Sequence, residues 1–306
     1  MTDVFFTATK NALKSITTTF DTVWPTAVGL WNLRCLVNGV RHEYPDITES
    51  ELANKFSVGS GIHGVNYKRA FSDNSWEQQQ MDFAWILLNS TFPIYEEWLL
   101  ELKTTIFKNM DVKAMQSPTA IANEVSRLTN NQSSILTNAF YSTYCGKRER
   151  NYQHITELMM CYKAFKEARN CFMHHGVTAD CKLINAYNAF INSASEAILG
   201  VKEIPILNAP TLDERINLSL RGVVGFSYVL IKILVSLDTE LLRSKEAEIE
   251  LVDRFKKSHT TMPKLKSDQN KANQQVEHLI MQCSFPKPQS VNDIKNFLLT
   301  EHLISK

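Results

Sequence analysis

The sequence predicts an all-α protein: a helical bundle with additional helices at its N-terminal and C-terminal ends. Three observations carry this expectation. Only ten glycines and nine prolines occur in 306 residues, roughly half the usual share. Leu, Ala, Lys, Glu and Asn are plentiful. Apolar residues recur at steps of three and four, and no run shows the strict alternation of a half-buried strand.

Helix signals follow one another along the chain. Pro25 sits where a first-turn proline belongs, ahead of Val28, Leu30, Trp31, Leu33, Leu36, Val37 and Val40, so a helix is expected to open there. Thr48 and Glu51 form a capping-box pattern that opens a short helix through Phe56. Past a glycine-rich loop, Ser75 starts a long helix through Trp85, Leu88, Tyr95, Trp98, Leu102 and Phe107, which Pro93 should kink. Ser117-Pro118 starts the next, and a further helix fits Ser133 to Tyr144. The segment from Tyr152 to His175 reads as one amphipathic helix, closed by Gly176 in the place of a left-handed cap. Asp180 is placed to cap a helix with the stripe Leu183, Tyr187, Phe190, Ile191, Ala194 and Ile198, ended by Gly200. An apolar segment from about Leu212 to Leu242 follows, then a charged stretch, Arg243 to Lys257, and short helices near Val276 to Cys283 and Val291 to Leu303.

Three segments are expected: an N-terminal helical extension over 1–74, a helical bundle over 75–242 and a C-terminal helical appendage over 243–306. The polar connector at 258–271 is the best linker candidate, or else a loop on one helical body.

The net charge of +1 gives no global electrostatic footprint for nucleic acid or an anionic membrane, so any such contact must be local. Six cysteines show no CxxC pair and no zinc-type Cys/His spacing, and read as free thiols of a reducing cytoplasm. The N-terminus lacks the basic and apolar regions of a signal peptide. The most apolar run, Gly222 to Val235, is shorter than the roughly 20 residues that span a bilayer, contains Lys232, and reads as a buried core helix. No membrane association, metal or cofactor is expected.

Gly59 to Gly64 formally matches GxGxxG, but the segment before it reads as a helix, whereas a dinucleotide fingerprint needs a preceding strand. A surface loop is the better reading. His42-Glu43 and His154 with Glu157 are isolated pairs without an HExxH partner. No P-loop, nucleophile elbow or EF-hand loop occurs.

The stretch KEARNCFMHHG, Lys166 to Gly176, differs from these. Ile155, Leu158, Tyr162, Phe165 and Phe172 form one apolar stripe, and Arg169 occupies the stripe position between the two phenylalanines. A guanidinium there is costly unless it snorkels, pairs with an anion, or lines a site that receives one. Asn170 and His174 are four apart and share a neighbouring face. His174 lies in the last turn, where the helix dipole favours imidazolium, and it can exchange a proton near neutral pH. Arg169 suits a phosphate. Together they are the minimum for metal-free phosphodiester cleavage, except that one histidine serves only one end of the proton traffic. A second copy of the chain across a two-fold axis is the most economical source of another. The competing reading is a surface arginine and a cap-region histidine with no chemistry.

Arg169-Asn170-Cys171-Phe172-Met173-His174 resembles the signature of the HEPN superfamily: Arg, a polar residue that is often Asn, three further residues and His, late in a helix of an all-α bundle. The resemblance covers these six residues and their helical surroundings. It implies a metal-independent endoribonuclease acting on RNA as a homodimer, leaving 2′,3′-cyclic phosphate and 5′-hydroxyl ends. Arg169 would stabilise the scissile phosphate, Asn170 would position it, and His174 would serve in acid/base catalysis. His175 is the alternate histidine, because the family tolerates longer spacings. The family's biology implies cytoplasmic toxins and anti-phage effectors, with an antitoxin or defence-system protein as a partner. Lys147, Arg148 and Arg150 before the motif helix, and Lys163 and Lys166 within it, are candidate substrate-binding residues, against ordinary surface charges. Tyr162 could stack a base but sits on the apolar stripe and reads as core. The rival from another class is a non-catalytic all-α interaction or regulatory module, in which Arg169 faces a carboxylate of its own chain or of a partner.

Overall fold

Helix α1 runs from Thr7 to Glu43 with Pro25 in its interior, which corrects the expectation that Pro25 opens the first helix. A mid-helix proline removes its own N–H from the ladder and frees the carbonyl four residues earlier. Asp21, Thr22, Trp24, Pro25 and Thr26 are all exposed, so water reaches that carbonyl and the helix continues. The computed structural model describes residues 4–108, 111, 113–146 and 150–305.

Among these residues the chain forms thirteen α-helices and no β-strand. Helix α2, Glu49–Phe56, starts with the expected capping box: the Glu51 amide donates to Thr48 Oγ1 at 3.3 Å and the Thr48 amide to Glu51 Oε2 at 2.8 Å. Helix α3, Trp76–Lys103, is capped by Ser75 and holds Pro93 inside it. Helix α4, Pro118–Asn130, begins with its proline at the first position. The helix expected over Ser133 to Tyr144 is present but broken, as α5 (Ser134–Leu136), a π-turn (Thr137–Tyr141) and α6 (Ser142–Cys145).

Helix α7, Ile155–His174, carries the motif and is preceded by a 3-10 turn, Tyr152–His154. Helix α8, Cys181–Ser193, is capped by Asp180, which accepts the Leu183 amide at 2.8 Å. The expected run to Gly200 is two helices, because Ala194 turns extended and Ser195 caps α9, Glu196–Leu199. The remaining helices are α10 (Leu220–Leu241), α11 (Ala247–Ser258), α12 (Gln269–Gln282) and α13 (Val291–Thr300).

Helix α10 is the axis of the molecule. It packs against α1, α3, α4 and α7, and its aromatic contacts are close: Phe226 stacks on Phe165 at 4.6 Å and on Phe92 at 5.3 Å. Burying a side chain of that size contributes about 2 kcal/mol. At 22 residues α10 is longer than the apolar run suggested, and long enough by length to cross a bilayer. Here it lies among other helices and carries buried Lys232, Asp238 and Glu240.

One buried apolar cluster extends from Val4 to Ile304 and so includes side chains from both ends of the chain. The N-terminal segment is anchored on α10: Asp238 accepts the Phe5 amide at 2.7 Å and the Phe6 amide at 3.0 Å, and all three residues are fully buried. The polar connector is likewise tied down. Leu265 is buried, its amide donates to the Ser305 carbonyl at 2.8 Å, and the Ser305 amide donates to Pro263 at 3.0 Å. A second, smaller cluster of Val37, Leu52, Tyr67 and Phe71 joins the far half of α1 to α2 and the turn after it.

Candidate active site

The apolar stripe of α7 is buried as its spacing requires: Ile155, Leu158, Tyr162 and Phe165 are all within the core. Tyr162 lies 4.7 Å from Tyr95 and 5.2 Å from Phe92, and burial pushes its hydroxyl pKa well up. It is a core side chain. Phe172 is half-buried and stacks on Trp85 of α3 at 4.6 Å.

Arg169 lies between these aromatics and is half-buried. Its Nε is buried without a hydrogen-bond partner. Among the described residues no carboxylate comes within ion-pair distance of its guanidinium. Lys166, one turn earlier, is also half-buried, and its ammonium donates to Gln116 Oε1. Gln116 in turn donates from Nε2 to Glu96 Oε1 at 3.2 Å. Burial lowers the Lys166 pKa; the carboxylates of Glu167 and Glu96 oppose that shift, and the charges of Arg169 and Lys163 add to it. With exposed Lys163, three cations follow at intervals of three residues along α7, and i,i+3 neighbours on a helix lie side by side.

Asn170 donates from Nδ2 to Glu167 Oε2 at 3.1 Å. His174 is exposed in the final turn and has no hydrogen-bond or ion-pair partner among the described residues. Its neighbour differs. His175 ends the helix, its amide bonded to the Cys171 carbonyl at 2.8 Å, and its Nε2 stands 4.0 Å from Asp180 Oδ2. Both imidazoles are exposed; His175 lies near Asp180 at the junction with α8, whereas His174 has no such neighbour.

That junction is a built turn. Gly176 has φ +61°, as expected of a left-handed cap, but Val177 follows with φ +72°, a conformation that is strained for a β-branched residue. Its backbone is held from both sides, donating to Cys171 at 3.3 Å and accepting from the Ile216 amide at 2.8 Å. The histidines therefore sit on a fixed corner.

The other candidates are placed elsewhere. Arg150 precedes the N-terminal end of α7, and from Ile155 to Arg169 the helix rises about 21 Å. Arg150 is half-buried, donates from Nε to Thr239 Oγ1 at 3.0 Å and lies over the Tyr144 ring at 5.6 Å. It is not brought together with the motif. Lys147 and Arg148 lie outside the described residues. The Gly59 to Gly64 stretch follows helix α2 and forms an exposed loop, as expected. His42 with Glu43, at 3.7 Å, and His154 with Glu157, at 3.8 Å, are isolated pairs.

Sequence reasoning missed Gln116, on the 3-10 turn Ala114–Gln116 before α4, which accepts from Lys166, and Glu96 of α3, which accepts from Gln116 in turn. Fifty residues separate Gln116 from Lys166, and no local spacing signals such a contact. Glu167 had a signal, since it stands three residues before Asn170.

Comparison of the chain with protein-family models, curated proteins and solved structures returns no match.

Proposed function

We propose that the chain is a metal-independent endoribonuclease of HEPN type, cutting RNA at a site composed of two copies of α7. The observation that carries this reading is Arg169: a half-buried guanidinium, aromatic neighbours on its helix, and no carboxylate to neutralise it among the described residues. A module that pairs this charge within its own chain is disfavoured among the described residues; a phosphate site keeps the charge for the substrate, and a carboxylate of a partner is the competing occupant.

In this reading Arg169 and Lys166 face the scissile phosphate and offset charge developing on its oxygens in the transition state. Two like charges one turn apart repel, and an anion between them relieves that repulsion. The exposed His174 removes the proton of the ribose 2′-hydroxyl, whose oxygen attacks the adjacent phosphorus. The P–O5′ bond breaks, giving a 2′,3′-cyclic phosphate, and the departing 5′-oxygen takes a proton from His174 of the second copy. Asn170, on the same flank as His174, holds the substrate in register through its amide.

RNA cleavage in EDTA by the wild type, His174→Ala and Arg169→Ala, with the product ends analysed, tests the reading. Cyclic phosphate ends from the wild type and loss of cleavage in both variants support it. Cleavage that persists in both variants, or ends of another chemistry, would sink it. An unresponsive wild type would favour the interaction module.

A further inference from the structure

The middle of α1 lacks a charged face. Among its exposed residues from Ser15 to Gly39 only Asp21 carries a charge, whereas the short helix α11 exposes Asp253, Lys256 and Lys257. A solvated surface is about 25–35% charged residues. On α1 that place is taken by Trp24, Val28 and Trp31, which are 39%, 60% and 44% exposed. They follow at steps of four and three, and so form a second apolar stripe beside the one that α1 buries at Val23, Ala27 and Val37. Charge depletion together with aromatic rings is the composition of an interface centre.

The stripe lies on the outer side of a layer of three helices, in which α3 packs against both α1 and α7. Trp31 stands 4.9 Å from Trp76 of α3, and Trp24, seven residues earlier, shares its face. On α3, Trp76, Leu87 and Trp98 recur every eleven residues on the side of α1, where Trp98 donates to Thr9 Oγ1 at 2.9 Å. Trp85 turns to α7 and stacks on Phe172. Ile86 points between these two sides and is 55% exposed. On α7 the neighbour of Phe172, Met173, is exposed beside His174.

The same contacts set the register of the layer. Helices α1 and α3 run antiparallel, with Thr9 level with Trp98 and Trp31 with Trp76. Helices α3 and α7 do the same, with Tyr95 level with Tyr162 and Trp85 with Phe172. Val28 is therefore level with Gln79, and His174 with Phe83, four residues further along α3 or about 6 Å.

We propose that a second copy of this chain docks on the outer face of this layer, about a two-fold axis that crosses α1 near Val28 and runs over α3 to the end of α7. Each helix then faces its own copy in the antiparallel sense. Trp24 of one α1 meets Trp31 of the other, the self-complementary pattern that a two-fold contact requires. The two His174 side chains lie on opposite sides of the axis, about 12 Å apart along the helix direction, at one edge of the interface. About 24 Å of each of three helices, spaced about 10 Å apart, covers about 700 Å², close to the roughly 800 Å² per partner of a standard interface. The choice of a second copy as the partner rests on the composite-site reading, in which one histidine serves only one end of the proton traffic.

Sedimentation equilibrium of the full chain tests it, with Val28→Glu, Ile86→Glu and, as a control outside the face, Ile249→Glu on α11. A wild-type dimer at micromolar concentration is expected. Each face variant should raise its dissociation constant by about 100-fold or more, because it places an unpaired carboxylate in a desolvated contact, and Ile249→Glu should leave it unchanged. Circular dichroism checks that each variant is folded, and either face variant decides alone should the other unfold. A wild type still monomeric at about 100 µM, where a micromolar dimer is saturated, would overturn the proposal and leave the face to another protein. Wild-type affinity in a folded face variant would overturn it too. Cleavage separates this proposal from the composite-site reading. RNA cut equally well by monomeric Val28→Glu would refute the shared site and leave the interface, whereas a dimer indifferent to Val28→Glu would refute the interface and leave the shared site.

Discussion

Phe165 of the motif helix stacks on Phe226 of α10 with ring centroids 4.6 Å apart and planes only 15° from parallel. This contact fixes α7 on the central helix, one turn before Arg169. Phe226→Ala removes it together with the stack on Phe92, and the surrounding core cannot collapse around the space. Urea denaturation should show a loss of about 3–5 kcal/mol. A loss under about 1 kcal/mol would mean that α7 is held by its other neighbours.

Arg169→Met keeps the volume and apolar stem of the side chain and removes a charge from an apolar stripe. If the arginine serves the substrate, the fold gains from its removal, and the variant should be as stable as the wild type or more stable by about 1 kcal/mol. A loss above about 2 kcal/mol in thermal or urea melts would instead give Arg169 a structural partner.

Gly222→Ala separates two opposing effects. In an open helix the change would favour folding by about 1 kcal/mol. Here the new Cβ would meet the Ile206 carbonyl at 2.4 Å, and a backbone atom cannot swing aside as a side-chain tip can. The expected outcome is a net loss of about 1–3 kcal/mol, and a stabilised variant would contradict the close approach of that segment.

Asp238 gives the fold a pH dependence of definite sign. Burial raises its carboxyl from 3.8 to about 6, against the amides of Phe5 and Phe6, the Thr9 hydroxyl and the Arg150 charge, which favour the carboxylate. A raised folded pKa means that the native state binds the proton more tightly. The stability this contributes is complete below about pH 4 and lost as pH rises through 6, on the order of 3 kcal/mol. Stability measured in urea from pH 4 to 7 should fall less steeply with rising pH in Asp238→Asn than in the wild type. Identical slopes would mean that the folded and unfolded states hold this proton alike.

Much of the architecture was legible because its signals are local. Ser75, Asp180 and the Thr48–Glu51 box each cap the helix expected of them, since a cap acts on amides two or three residues away, and Pro118 opens α4 at its first position although Ser117 makes no side-chain cap bond. Pro25 misled because its position within a helix depends on what precedes it, and Thr7 to Trp24 proved helical without an N-terminal side-chain cap. Ala194 misled in the opposite sense. Its apolar side chain continues the stripe, but Ser195 offers a competing cap and the helix restarts. The motif flank was visible through Arg169, Asn170 and His174 at helical spacing, whereas Gln116 reaches Lys166, and Glu96 reaches Gln116, only through tertiary packing. The close approach of the Pro205–Ile206 segment to α10 had a faint signal in Gly222 and Gly225 within one apolar helix, but that segment has no regular periodicity to read.

The seat of Phe5 and Phe6 on Asp238 has a consequence for biosynthesis. More than 230 residues separate these partners, and translation at about 5–20 residues per second puts on the order of tens of seconds between them. Throughout that interval two phenylalanines wait without the carboxylate that holds their amides. The nascent chain therefore carries two exposed phenylalanines for most of its synthesis, a natural target for ribosome-associated chaperones, and their seat on Asp238 closes only after α10 has left the exit tunnel.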